Sequence, residues 1–226
     1  MTRIKLCGLS RECEILAADE LLPEYVGFVF WPKSRRYVSP EKAESFRKIL
    51  APEIQSVGVF VDEDPENIAE LTRRGIIDII QLHGHEDGEY ISILRTLIGE
   101  NITNNLHGHE NNTYISGLRT LAGKTIIKAF TVKTPHDIDT AQNTTADYIM
   151  LDSGMGTGES FCWKMVRDFS RPYFLAGGLT PENVAYAVNE LKPFAVDVSS
   201  GIETHGVKDI AKMAAFVEAV RGSIVQ

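Results

Sequence analysis

Long apolar runs are missing from this sequence of 226 residues. None approaches the roughly 20 residues that a bilayer-spanning helix needs, and the N-terminal MTRIKLCGLS has no apolar core of a secretory leader. No membrane partner is expected, and the expected location is cytoplasmic. Cysteine is scarce too. Cys7, Cys13 and Cys162 fit neither a disulfide framework nor a C-x-x-C metal pair, which points to free thiols in a reducing compartment. Blocks of like charge are absent as well: the net charge of −8 is spread along the chain, so the basic footprint of a nucleic-acid binder is missing. A small-molecule partner is the expectation that remains.

What is present is a rhythm. With 43% hydrophobic residues the chain has enough apolar material for one sizeable core, and its length suits one domain over residues 1–226. Short β-branched or apolar runs at 3–9, 25–30, 56–61, 78–83, 125–131, 148–152, 173–176 and 195–199 alternate with stretches of helical spacing. Among the latter, 40–50 places Ala43, Phe46, Ile49 and Leu50 on one side, and 65–74 does the same with Ile68, Ala69 and Leu71. Pro40, Pro65 and Pro181 follow Ser39, Asp64 and Thr180, a pairing of N-cap and first-turn proline that opens helices. Eight near-continuous apolar strands alternating with helices predict an α/β fold with a parallel sheet covered on both faces. The count of eight favours a closed (β/α)8 barrel over an open flavodoxin-like sheet.

One stretch breaks the rhythm. QLHGHEDGEYISILRTLIGENI, residues 81–102, is followed by NLHGHENNTYISGLRTLAGKTI, residues 105–126, identical at 14 of 22 positions. Two adjacent copies in an otherwise non-repetitive chain read as a local tandem duplication rather than a solenoid, and without one copy the chain would have 202 residues. The unit carries the end of strand four and the helix after it. Copy one has the stripe Tyr90, Ile91, Leu94, Leu97 and Ile98; copy two has Tyr114, Ile115, Leu118, Leu121 and Ala122. Either stripe could dock as helix four. Because barrel closure fixes strand number and shear, a ninth strand from 106–109 is not expected, and the surplus should be an extra helical segment between strands four and five. Gly117 disfavours the second helix by up to about 1 kcal/mol, while its small side chains suit close packing, so the sequence leaves the docking copy open.

In such a barrel, chemistry belongs at the C-terminal ends of strands. There the sequence has KLCG (5–8), GFVFWPKSRRY (27–37), VGVFV (57–61), QLHG (81–84), MLD (150–152), AGGLTPENV (176–184) and PFAVDVSSGIE (193–203). In this order the motifs resemble those of phosphoribosylanthranilate isomerases, and they span nearly the whole chain outside the duplication. The resemblance implies an intramolecular oxidoreductase of tryptophan biosynthesis. Its Amadori rearrangement turns N-(5-phosphoribosyl)anthranilate into 1-(2-carboxyphenylamino)-1-deoxyribulose 5-phosphate, with no metal or organic cofactor.

By the same resemblance Asp152 is the acid that opens the ribose ring and Cys7 the base that takes the C2′ proton. A thiol with a pKa near 8.5 needs nearby positive charge for that work, and Lys5, two residues away on the same strand side, is the expected source. Taken alone, Cys7 reads as a buried strand thiol and Asp152 as a strand-ending loop cap; the motif context is what turns both toward chemistry. Gly177, Gly178, Ser199, Ser200 and Gly201 follow strands seven and eight, where barrels commonly hold phosphate. Arg36 is the expected clamp on the anthranilate carboxylate, its guanidinium matching a carboxylate bidentately, while Arg35 is expected to be solvated. Asp197 is assigned to ribose hydroxyls or to a strand cap, Lys5 to the substrate-binding set, and His83 to the mouth of the barrel, in a structural role or as a substrate contact. The Gly-rich 154–158 is a candidate lid. Cys162 stands before Trp163 where the family is expected to carry an Asp, which puts the cap of the following helix in doubt.

His83, His85, His107 and His109 repeat because the unit repeats, and no metal site is assigned to them. An isomerase of the histidine pathway performs the same rearrangement but uses an aspartate as base and two phosphate sites, against which Cys7 and the single phosphate pattern argue. A catalytically impaired or scaffold barrel, disabled by its duplication, is the alternative from another class. Monomer and homodimer both remain open.

Overall fold

The computed structural model describes residues 1–105, 124–152, 165–167 and 169–223. Eight strands, β1 (Arg3–Cys7), β2 (Tyr25–Val29), β3 (Gln55–Phe60), β4 (Ile79–Leu82), β5 (Thr125–Thr131), β6 (Tyr148–Asp152), β7 (Tyr173–Ala176) and β8 (Ala195–Val198), close into a barrel in sequence order. All neighbours are parallel, and the seam between β1 and β8 runs from Arg3 opposite Ala195 to Leu6 opposite Val198. Seven α-helices lie among the described residues: α1 (Glu12–Leu21), α2 (Pro40–Arg47), α3 (Pro65–Arg73), α4 (Gly88–Asn105), α5 (Pro135–Gln142), α6 (Val184–Leu191) and α7 (Ile210–Gly222). No helix among the described residues is long and apolar enough to cross a membrane.

The expected closed barrel is therefore the observed one. The strand boundaries moved by one or two residues where the backbone leaves the ladder, as at Gly8, whose φ of 75° ends β1 two residues early. At α2 and α3 the caps behave as their residue types require: Ser39 Oγ accepts from the N–H of Lys42, and Asp64 Oδ1 from that of Glu66. At α6 the expectation failed. The helix begins at Val184 and not after Thr180, because the Asn183 side chain accepts from Thr180 N–H and donates to the Gly178 carbonyl, holding 180–183 in a turn.

Side chains divide into two apolar sets, as strand alternation demands. Leu6, Phe28, Ile80, Leu82, Ile126 and Leu151 are fully buried under the helices, each worth roughly 1.5–3 kcal/mol of transfer free energy. The set inside the barrel includes Val57, Ile79, Ile127, Met150 and Phe174. The N-terminal end is plugged by aromatics: Tyr148 stacks on Phe194 at 4.6 Å, Phe174 lies 5.6 Å from Phe194, and the Arg3 guanidinium sits 4.4 Å above the Phe194 ring. One end of the barrel is thus sealed by apolar packing, and the polar interior residues collect toward the other.

The docking question left open by the sequence is answered at α4. Copy one occupies the helix-four groove, with Ile91, Leu94 and Ile98 buried and the Tyr90 hydroxyl donating to the Glu63 carbonyl at 2.6 Å. The copy-two stripe, the 106–109 segment, the glycine-rich 154–158 and Cys162 lie outside the described residues.

Candidate active site

Cys7 ends β1 with its side chain turned inward, and its ladder partner is Gly27. A Cβ at Gly27 would lie 2.7 Å from Cys7 Sγ, so the glycine makes room for the thiol. Cys7 opens into a cavity of about 340 Å3 at the C-terminal ends of the strands. Arg36, His83, Asp152, Gly177, Gly178, Asp197, Ser199, Ser200 and Gly201 line the same cavity. Of the eleven site residues assigned from the sequence, ten line this cavity and Lys5 does not.

Lys5 is a correction. Its side chain is fully buried and its Nζ donates to Asp197 Oδ1 at 2.7 Å, so it stands behind Asp197 and not in the cavity wall. Asp197, which does line the cavity, is for the same reason neither a simple strand cap nor a free acceptor. Burial pulls the Lys5 pKa down, but the Asp197 carboxylate and the Cys7 sulfur outweigh it, so the ammonium form is held. The expectation that Lys5 would bring the Cys7 thiol down is right in sign and wrong in outcome. Burial raises the thiol pKa more than Lys5 lowers it, and Asp197 works with the burial. The resting thiol is protonated.

Arg36 also departs from expectation. Its bidentate face is already occupied: Nε donates to Glu203 Oε1 at 2.6 Å and Nη2 to Glu203 Oε2 at 3.0 Å. Arg35, expected to be solvated, reaches Glu203 Oε2 at 2.7 Å, with its side chain largely exposed. Lys208 Nζ completes the cluster, donating to Glu203 Oε1 at 2.9 Å and to the carbonyl and hydroxyl oxygens of Ser199. Burial pushes the Glu203 pKa up, but hydrogen bonds and charge from Arg36 and Lys208 prevail and bring it down to about 2. Three cations share one carboxylate, leaving net positive charge beside Ser199 at the cavity wall. Gly8 belongs to this arrangement: a Cβ there would lie 2.5 Å from Arg36 Cδ.

Glu203 and Lys208 were missed because they act from a two-stranded hairpin, β9 (Glu203–Thr204) and β10 (Val207–Lys208), turned at Gly206 with φ 80°. The His205–Gly206 pair was the only available turn signal. The anion-binding candidates sit on backbone that only glycine adopts readily: Gly177 and Gly178 have φ of 87° and 65°, and a Cβ on Gly201 would overlap the Leu179 carbonyl oxygen. Opposite this wall, His83 Nε2 lies 3.5 Å from Asp152 Oδ2. His85, by contrast, turns outward and pairs with Asp62.

A cavity with a thiol, a carboxylate, a guanidinium and glycine-rich turns at one barrel mouth can bind a phosphorylated acid and move protons on it. The family profile described as N-(5′-phosphoribosyl)anthranilate (PRA) isomerase matches residues 4–105 and 103–219. The chain is 36% identical over 229 aligned residues to N-(5′-phosphoribosyl)anthranilate isomerase of Thermoanaerobacter sp. (strain X514), covering 98% of this chain and 99% of that one. The enzyme of the same name from Endomicrobium trichonymphae is 37% identical, with 98% and 99% covered. Among solved structures, phosphoribosyl anthranilate isomerase from Thermotoga maritima superposes with a TM-score of 0.80 at 34% identity, over 98% of this chain and 100% of that one. A phosphoribosyl anthranilate isomerase bound to reduced 1-(o-carboxyphenylamino)-1-deoxyribulose 5-phosphate gives 0.78, with the same identity and coverage.

Proposed function

Because the chain belongs to the N-(5′-phosphoribosyl)anthranilate isomerase family, we propose that its aldose-to-ketose rearrangement runs in the described cavity, between Asp152 as acid and Cys7 as base. The supporting observation is that both residues, from strands five positions apart in the chain order, line one cavity with Arg36 and the turns after β7 and β8.

The Asp152 carboxyl gives its proton to the ribose ring oxygen as the C1′–O bond breaks, and the nitrogen lone pair forms the C1′=N bond of a cationic Schiff base. The Cys7 thiol gives up its own proton to solvent, and the thiolate then takes the C2′ proton; the C2′–H electrons become the C1′=C2′ bond, and the iminium electrons return to nitrogen. The resulting enol tautomerises to the ketose. A buried thiol is a poor base at rest, but the iminium next to it supplies positive charge at the step that needs the thiolate, and Lys5 adds to it.

Phosphate is assigned to the backbone around Gly177, Gly178, Ser199, Ser200 and Gly201, which line the cavity together; the positive φ of Gly177 and Gly178 and the close approach of Gly201 to the Leu179 carbonyl make a turn of the kind that presents N–H groups to an anion. The anthranilate carboxylate is assigned to Arg36 through the donors that Glu203 does not use, Nη1 first. His83 is assigned to the substrate-facing mouth beside Asp152, and Asp197 to the ribose hydroxyls through the oxygen not facing Lys5. Residues 1–226 form one barrel domain in which 105–126 duplicates 81–102. A reducing cytoplasm suits a chain with three cysteines, of which Cys7 and Cys13 are free thiols among the described residues, and the working unit is a monomer or homodimer. No observation on the described residues favours an impaired barrel, since the cavity mouth holds every assigned group.

The test is the loss of phosphoribosylanthranilate fluorescence with purified protein. Cys7→Ala and Asp152→Asn are each expected to lower kcat by about 10²-fold or more, the usual worth of a positioned acid or base. Near-normal turnover in either would remove that residue from the mechanism.

A further inference from the structure

Gln81 is 1% exposed and points from β4 into the barrel interior, at the floor of the cavity. Its carboxamide has an uneven set of partners. Nε2 lies 3.1 Å from His83 Nδ1 and 3.3 Å from Met150 Sδ, whereas Oε1 is buried with no hydrogen-bond partner among the described residues. A thioether sulfur accepts weakly and never donates, so it can face the amide nitrogen but offers nothing to the amide oxygen. Turning the carboxamide round would set Oε1 against that sulfur, which cannot donate, and would move an N–H to the buried position where Oε1 now has no partner. The present orientation uses both N–H donors and leaves only an acceptor unpaired.

The consequence falls on His83. Facing an N–H donor, its Nδ1 is the accepting nitrogen, which leaves the ring proton on Nε2. That nitrogen is the one 3.5 Å from Asp152 Oδ2.

We propose that Gln81 is a positioning residue that fixes the Nε2–H tautomer of His83, so that the imidazole donates to the Asp152 carboxylate formed once the ring oxygen has been protonated. The inference rests on the reading of Asp152 as the acid. In the other tautomer a lone pair would face that carboxylate, and the developing negative charge would meet an acceptor in place of a donor. Met150, by holding the amide face, and Gln81, by presenting its N–H, together choose between the two.

The test reads the tautomer directly. Full-length protein carrying 15N-labelled histidine, with the His83 signals assigned by their loss in His83→Asn, is expected to show a protonated Nε2 and a bare Nδ1. Gln81→Glu, whose ionised carboxylate can only accept, is expected to move a proton onto Nδ1 at a pH where that carboxylate is charged. Gln81→Leu, which neither donates nor accepts, is expected to give a mixture of tautomers. Both variants should lower kcat about ten-fold or more with KM changed less than about two-fold. A wild-type His83 protonated at Nδ1, or a tautomer unmoved in both folded variants, overturns the proposal. The failures are separable: if the tautomer responds to Gln81 while Asp152→Asn keeps full turnover, the acid assignment falls and the link from Gln81 to His83 stands.

Discussion

Replacing Asp197 by asparagine removes the only carboxylate bonded, among the described residues, to the fully buried Lys5 ammonium, at a Nζ–Oδ1 distance of 2.7 Å. Losing one partner of a buried ion pair costs roughly 3–5 kcal/mol, because the surviving charge is left uncompensated in a medium that solvates it poorly. Here a second anion is at hand. Lys5 lowers the Cys7 pKa and Asp197 raises it, so Asp197→Asn takes away an opposing charge and leaves Lys5 seeking a counter-ion. The Cys7 thiol is expected to give up its proton to fill that role. Two measurements follow, in a background with Cys13→Ser and Cys162→Ser so that only Cys7 reacts. The midpoint of the pH profile for iodoacetamide alkylation should move to lower pH. The urea-unfolding penalty, relative to the same background with Asp197 intact, should be largest at acidic pH, where Cys7 is a neutral thiol. It should shrink as pH rises through the new midpoint and the thiolate pairs with Lys5. Adding Cys7→Ala should abolish the shrinkage. An alkylation profile that does not move would show that Lys5 relieves its own burial by losing a proton, and would refute the coupling.

The Glu203 cluster predicts acid sensitivity. Its carboxyl sits at about 2 when folded and near 4.3 when unfolded, so its stabilisation is complete above about pH 4.5 and disappears as pH falls toward 2. Glu203→Gln should flatten up to about 3 kcal/mol of that pH dependence in urea titrations between pH 5 and 2; an unchanged slope would contradict the ion cluster. Leu94→Ala, in the groove occupied by copy one, is expected to cost 2–5 kcal/mol by chemical denaturation, and a loss under about 1 kcal/mol would mean that the groove is refilled by another segment. Deleting 99–122, which joins Ile98 to Gly123 and leaves one copy of the repeat, should preserve turnover in the fluorescence assay; a loss of most activity in a folded product would show that the second copy serves the site.

The barrel was legible because its determinants are local. Strand after strand is an apolar run closed by a turn residue, and such runs need only neighbours of the same kind to be read; β5, β6 and β7 kept even their boundaries. Ten of the eleven residues assigned from the sequence line one cavity for a related reason: in this fold functional groups gather at strand ends, so sequence position stands in for spatial position. Charge pairing was not legible, since it joins residues remote in sequence. Lys5 and Asp197 are 192 residues apart, Arg36 and Glu203 167, and nothing within a window of the sequence announces either contact. The helix-four groove was undecided for a different reason. Two nearly identical stripes carry the same local information, and only packing against α3 and the barrel distinguishes the one that docks.

The sequence by itself determined the strand count, the barrel and the identity of the groups at its mouth, because hydrophobic periodicity and strand-end position are properties of short stretches. Only the tertiary structure decided which charges neutralise one another, that burial keeps the Cys7 thiol protonated, and which ring nitrogen of His83 faces Asp152. Each of these depends on a distance of a few ångströms between distant parts of the chain, and on the low polarity that closure of the barrel creates around them.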